Sequence, residues 1–408
     1  MAETAIVRIA SIAAGGAGVG RLDGLAVFVP RTAPGDEVRV SLRRRARHAE
    51  GRVLGLLVPG PSRVSPTCRH YERDACGGCQ LQHLDYSAQL EAKRDVVVQA
   101  FRRIARREVG VPDVVPSPAR WQYRNKLTLT LRRASHGWVG GLRRYDDPDA
   151  IFALEECPIT ADGVLAAWRE LMAAAAWLPE AGELRGMIRH TASGAVLHLT
   201  GGVSWPGASE FVASCPSLEG ITWADDRGAA HVVRAGGTIG ADSFAQVNMS
   251  LAGALHDHAA SLALARGPER LIDAYGGSGA IARRLQGPDR TLVLIELDAA
   301  ATRVARATLG PASRVVTARV ESVLADELPA DAVVLNPPRA GVDVRVCHVL
   351  EQAAARPATL VYVSCDPATL ARDVARLPSY RVASLTLFDM FPQTAHVEVV
   401  CELVPEAA

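Results

Sequence analysis

No stretch of the 408-residue sequence is apolar for long enough to cross a bilayer as a helix. Its start, Met-Ala-Glu-Thr-Ala-Ile-Val-Arg, lacks the charged-then-apolar layout of a secretory signal. These two absences argue against helical membrane proteins and exported proteins, and predict a soluble cytoplasmic chain. No internal repeat is visible, and no low-complexity tract beyond an alanine bias, which argues against solenoids and long disordered tails. Cysteine is sparse, at eight residues. Thiols in a reducing compartment stay free, so clustered cysteines point to metal binding or catalysis rather than disulfides. Net charge is also nearly missing, at +1.

That small net charge conceals an asymmetry. From Gly236 onward there are 15 Lys+Arg against 19 Asp+Glu, which leaves 30 against 25 in the preceding part. The basic excess is clustered. Arg39, Arg43, Arg44, Arg45, Arg47 and Arg52 crowd one segment, Arg102, Arg103, Arg106 and Arg107 a second, and Arg124, Lys126, Arg132 and Arg133 a third. Three such clusters, away from the motifs described below, favour a polyanionic partner over a merely solvated face.

The length predicts two or three domains. Residues 1–60 alternate apolar and polar residues between glycine-rich turns, the pattern of a small antiparallel OB-like barrel, and Pro59-Gly60-Pro61-Ser62 reads as a linker. Residues 61–235 read as a mixed α+β region, with a helix predicted over Tyr86 to Arg107, a strand from Lys126 and an alanine-rich helix over Leu165 to Trp177. Residues 236–408 change character. Five short apolar runs, beginning at Leu271, Thr291, Arg314, Asp331 and Thr359, alternate with helical stretches, which is the signature of a doubly wound, Rossmann-like parallel sheet. Val382 to Phe388 and Val397 to Val404 add a closing antiparallel hairpin.

Sheets of this kind bind ligands at the carboxyl edge of their strands. Four features fall there: Gly276-Gly277-Ser278-Gly279, Glu296, Asn336-Pro337-Pro338-Arg339 and Cys365. The glycines let backbone approach a ligand closely. Glu296 ends the strand after Asp273, 23 residues on, where a carboxylate can hold two ribose hydroxyls. NAD competes for such a site. Ala282 replaces the third glycine of the dinucleotide fingerprint, however, and S-adenosylmethionine, which has no pyrophosphate to cradle, fits better.

A lone cysteine is usually a small buried hydrophobe. Cys365, delivered by a buried strand onto the polar loop Ser364-Cys365-Asp366-Pro367 beside a methyl donor, suggests alkylation of a pyrimidine C5. Thiolate addition at C6 makes C5 electron-rich, and a base then removes the C5 proton. Glu398, at the start of the last strand, is placed to be that base. The fourth-strand motif carries no cysteine, which favours uracil over cytosine. The base must leave its stack to reach such a site.

With these motifs the chain resembles the TRAM-domain, iron–sulfur-containing RNA 5-methyluridine methyltransferases, and in look the 23S rRNA members most. Ile12 to Phe28 with Pro34-Gly35-Asp36-Glu37-Val38 is similar to the TRAM barrel. Ser243 to Asn248 is similar to the motif whose glutamine, here Gln246, contacts S-adenosylmethionine. The run Asp389 to Glu398 matches the base-bearing motif. The resemblance implies a class I methyltransferase domain, Cys365 and Glu398 as catalytic residues, and Gln246, Tyr275, Gly277, Gly279, Glu296 and Asn336 at the cofactor. Three positions depart from the family pattern: Gly276 replaces a cysteine, Ala280 an asparagine and Asn336 an aspartate.

Cys68, Cys76, Cys79 and Cys157 form a set of three close thiols and one remote. Four cysteines suit zinc or a [4Fe–4S] cluster, and spacing alone does not separate them. The resemblance implies the cluster, with a structural role. It also implies an RNA substrate, ribosomal before transfer RNA, and a monomer at work. A rival from another class is a non-catalytic RNA-binding or assembly factor, which failure to bind S-adenosylmethionine would favour.

Overall fold

The computed structural model describes residues 3–191, 193–236 and 246–406. β1 (Glu3–Ile12), β2 (Gly18–Leu22), β3 (Leu25–Val29), β4 (Glu37–Arg44) and β5 (Ala49–Val58) close into a barrel in the order β1-β2-β3-β5-β4. Alternation along β4 sends Val38, Val40 and Leu42 inward and leaves Arg39 and Arg43 outside. The expectation of an antiparallel barrel needs one correction, because β3 and β5 pair parallel, Val27 with Ala49 and Phe28 with Glu50. An odd number of strands cannot alternate direction all the way round a closed barrel.

Asp36 fastens the barrel to the linker. It is fully buried and accepts from the amides of Ala33 and Gly60, each at 2.7 Å, while pairing with Arg63. Arg31 reaches the other way. Its guanidinium lies between the rings of Tyr71 and Tyr145, at 3.9 and 4.1 Å, and donates to the Cys76 carbonyl at 2.7 Å.

The helix predicted to run to Arg107 is a regular α-helix over Tyr86–Ala100 and then a wider π turn over Phe101–Ala105. Arg106, with φ +53°, ends it, and Arg107 donates to the carbonyls of Tyr380 and Leu377. β6 (Asp113–Val115) follows. Sequence order puts this segment with the middle region, but its side chains are buried elsewhere. Val97 and Phe101 belong to one core face of the C-terminal sheet, and β6 is the edge strand of that sheet, parallel to its neighbour. An apolar stripe says that a helix is buried but not against what.

β7 (Lys126–Ala134), β8 (Gly137–Arg143), β9 (Ile151–Ala153), β10 (Glu183–His190), β11 (Ala195–Thr200), β12 (Leu218–Ala224) and β13 (Ala230–Arg234) form a seven-stranded sheet in the order β13-β12-β11-β10-β7-β8-β9. The helix Asp162–Ala173 packs on it through Val164, Trp168 and Leu171.

The third sheet holds β14 (Arg270–Ala274), β15 (Thr291–Glu296), β16 (Ser313–Thr317), β17 (Ala332–Leu335), β18 (Thr359–Ser364), β19 (Tyr380–Phe388) and β20 (Glu398–Pro405) as well as β6. Its order is β16-β15-β14-β17-β18-β20-β19-β6, and β20 runs antiparallel to both of its neighbours. Successive residues supply opposite faces. Ile272 and Ala274 join a core with Val346 and Leu370, whereas Leu271 joins one with Leu255 and Leu285. The closing hairpin places β20 between β18 and β19. No helix among the described residues is long and apolar enough to cross a membrane.

Candidate active site

The β18–β20 ladder aligns Val363 with Val400 and Ser364 with Val399. The ladder ends there: Cys365 is the first residue past β18, Glu398 is the first of β20, and Glu398 pairs on its other side with Phe388 of β19. The two residues predicted to do the chemistry thus sit at the same end of the β18–β20 pair. Cys365 is half-buried and Glu398 is buried. Burial pushes the Glu398 carboxyl up to about 7, against the pull of the Arg339 guanidinium. Burial and then the Glu398 charge raise the Cys365 thiol above its ordinary range, and Arg339 again opposes the rise. The sequence reading gives Arg339 no role, although Asn336-Pro337-Pro338-Arg339 follows β17, the strand beside β18.

At the next strands the backbone turns sharply. Tyr275 has φ +61°, unusual for a residue with a side chain, and Gly277 and Gly279 have φ +54° and +83°. Glu296 ties this turn to β15, since one carboxylate oxygen accepts from the Gly277 amide at 3.0 Å and the other from the Asp298 amide at 2.8 Å. Asn336 follows β17, and its amide donates to the Ala274 carbonyl at 3.2 Å, next to Tyr275. Asp273 below the turn is fully buried, which raises its carboxyl to about 7. The helix after the turn is a single turn, Ala282–Leu285, because Gly287-Pro288 stops it. Gln246 is buried, and its carbonyl lies 3.5 Å from the Asn125 amide nitrogen. Ser243 to Ala245 of its motif lie outside the described residues.

Residues 300–404 match the family model for tRNA (uracil-5-)-methyltransferases. An uncharacterized RNA methyltransferase of Gloeobacter violaceus is 33% identical over 98% of this chain and 96% of its own length. One from Nostoc sp. is also 33% identical, over 98% and 95%. The chain belongs to the RNA uracil-5 methyltransferase family. Among solved structures, the Pyrococcus abyssi tRNA (uracil-54, C5)-methyltransferase in complex with S-adenosyl-L-homocysteine is similar throughout. Its TM-score is 0.72 at 26% identity, covering 98% of this chain and all of that one. The class I methyltransferase sheet and the small barrel before it are thus features shared with an RNA uracil-5 methyltransferase.

In this family member the four thiols of Cys68, Cys76, Cys79 and Cys157 line one cavity of about 80 Å³. Burial raises the Cys76 thiol to about 11 and the Cys79 thiol further. No set of three or more His, Cys, Asp or Glu side chains among the described residues is arranged to hold a metal ion. Part of the basic excess is tied up internally: Arg44 pairs with Glu3, Arg45 with Glu50 and Arg132 with Glu183. Arg39, Arg43, Arg47 and Arg52 remain exposed on the barrel.

Proposed function

We propose that this enzyme methylates C5 of a uridine in RNA, with S-adenosylmethionine as the methyl donor. What supports the reading is the end of the β18–β20 ladder, from which Cys365 leaves one strand and Glu398 begins the other, near enough for the Glu398 charge to act on the thiol. Cys365 adds through Sγ to C6 of the extruded uracil, which makes C5 electron-rich. S-adenosylmethionine supplies the methyl group that C5 takes. Glu398 then accepts the C5 proton, the C5–C6 double bond re-forms and the thiolate leaves. Arg339 offsets the negative charge that both residues carry in turn. Gly277, Gly279, Tyr275, Glu296, Asn336 and Gln246 would hold the donor, and Glu296, already fixed to the turn, is the ribose ligand.

We read the four thiols as ligands of a [4Fe–4S] cluster rather than zinc, on the family resemblance; that all four line one cavity supports a shared inorganic group. We read the cluster as a structural tie between the barrel and the middle region, with residues 1–60 offering the exposed arginines to RNA. Ribosomal RNA is the substrate we favour. A transfer RNA reading is supported by the likeness to the Pyrococcus abyssi enzyme over nearly the whole chain. Incubating the protein with labelled donor and either ribosomal or transfer RNA, then digesting to nucleosides, tests both. Label in 5-methyluridine, lost in Cys365→Ala, is the expected result, and label elsewhere or full activity in that variant contradicts it.

A further inference from the structure

Between Phe388 and Glu398 the chain makes a nine-residue connection, Asp389 to Val397, held by three side chains of the helix Tyr86–Ala100 as well as by its own sheet. Asp389 is buried and receives the Lys93 ammonium at 2.5 Å and the Tyr86 hydroxyl at 2.7 Å, both from the helix Tyr86–Ala100. Lys93 also donates to the Phe391 carbonyl at 3.0 Å. One turn earlier, Gln89 donates to Gln393 Oε1 at 3.0 Å and accepts from the Gln393 amide at 2.9 Å. The chain carries 45 basic residues, of which only Lys93 and Lys126 are lysines. At this buried place stands a compact ammonium with three donors, a site where a planar guanidinium would need more room. A buried pair of this kind is weak evidence for stability, since two apolar residues can do as well. What it supplies here is a fixed start for the segment that delivers the base.

We propose that Lys93 and Asp389, with Tyr86, are positioning residues for Glu398, setting the step that releases the product and not the step that attaches the RNA. The inference rests on the uridine-methylation reading above. In the step concerned, the C5–H bond breaks and its proton passes to the Glu398 carboxylate. Its electron pair restores the C5–C6 double bond, and the Cys365 Sγ–C6 bond breaks with its pair leaving on sulfur. A displaced carboxylate leaves RNA already methylated and still bound to Cys365.

The experiment uses the full chain with Asp389→Asn and, because a lone buried ammonium can compromise folding, also Tyr86→Phe, which removes one hydroxyl and no charge. Turnover on ordinary uridine RNA should fall about a hundredfold in Asp389→Asn, the scale of a roughly 1 Å misplacement, and about tenfold in Tyr86→Phe. Methylated RNA should accumulate covalently on the protein, while trapping on 5-fluorouridine RNA proceeds within about threefold of the unaltered rate. Parallel loss of turnover and trapping in Tyr86→Phe, or unchanged turnover in both variants, overturns the proposal. Failure of the unaltered enzyme to be trapped would instead overturn the underlying uridine chemistry.

Discussion

A carboxyl titrating near 7 is half ionised at neutral pH, where a general base combines availability with driving force. Glu398 is in that position because it is buried, and Arg339 keeps it from rising further. Product release should therefore quicken with pH through about 7, and the limb should vanish in Glu398→Gln, as read from the pH profile of kcat. The same shift has a cost in stability. The folded carboxyl holds its proton up to about 7 and the unfolded one only to its ordinary value near 4.5. Its stabilising contribution is thus complete below about 4.5 and is lost as pH rises through 7. Glu398→Gln should raise the unfolding free energy by on the order of 3 kcal/mol above about pH 8 and leave it unchanged in acid, measured by denaturant titration at both pH values. Cys365 and Glu398 were legible in the sequence from their loops. Lys93 was not, because nothing in a helix's own pattern tells which distant carboxylate its lysine meets.

At the scale of elements, short apolar runs at Leu271, Thr291, Arg314, Asp331 and Thr359 announced β14 to β18, since buried parallel strands are continuously apolar. The closing hairpin was legible too, because its two strands lack a helix-length spacer. β6 escaped notice. Three residues carry too little periodicity, and their partner strand lies some 270 positions away, at Thr386 to Phe388. The barrel's clasp on its linker is also an element-scale device. Burial pushes the Asp36 carboxyl up, but Arg63 and the amides of Ala33 and Gly60 outweigh it and hold the group below its ordinary value. Its contribution is present above that value and fades as pH falls through the depressed one. Asp36→Ala leaves Arg63 and two amides without their acceptor and should cost about 3–5 kcal/mol of stability in the barrel at neutral pH, read by hydrogen exchange of β1 to β5.

Over the whole molecule, the barrel, the thiol-bearing segment and the base-bearing connection meet at one junction. Gly16 of the barrel lies against Gln80 and Ala395, and Gln80 Oε1 accepts from the Ala395 amide at 3.2 Å. The Leu81 amide donates to the Gln393 carbonyl at 2.9 Å. Disturbing the four-thiol site should therefore be felt in the connection that leads to Glu398. On the cluster reading proposed above, Cys79→Ser should abolish the visible absorption of an iron–sulfur core and slow turnover, with donor affinity changed less than about threefold because the glycine turn follows β14, three strands away from β20 in the sheet order; calorimetry and spectra check it. Such long-range convergence cannot be read from motif order, since it depends on how three sheets stack. The central claim concerns one bond, between the Cys365 sulfur and C6 of the target base. RNA carrying 5-fluorouridine at the modified position, incubated with the donor and digested for peptide mass spectrometry, tests it most directly. A nucleotide mass on the peptide containing Cys365, absent in Cys365→Ala, is the predicted result; methylation of uridine RNA without any such adduct would contradict the account.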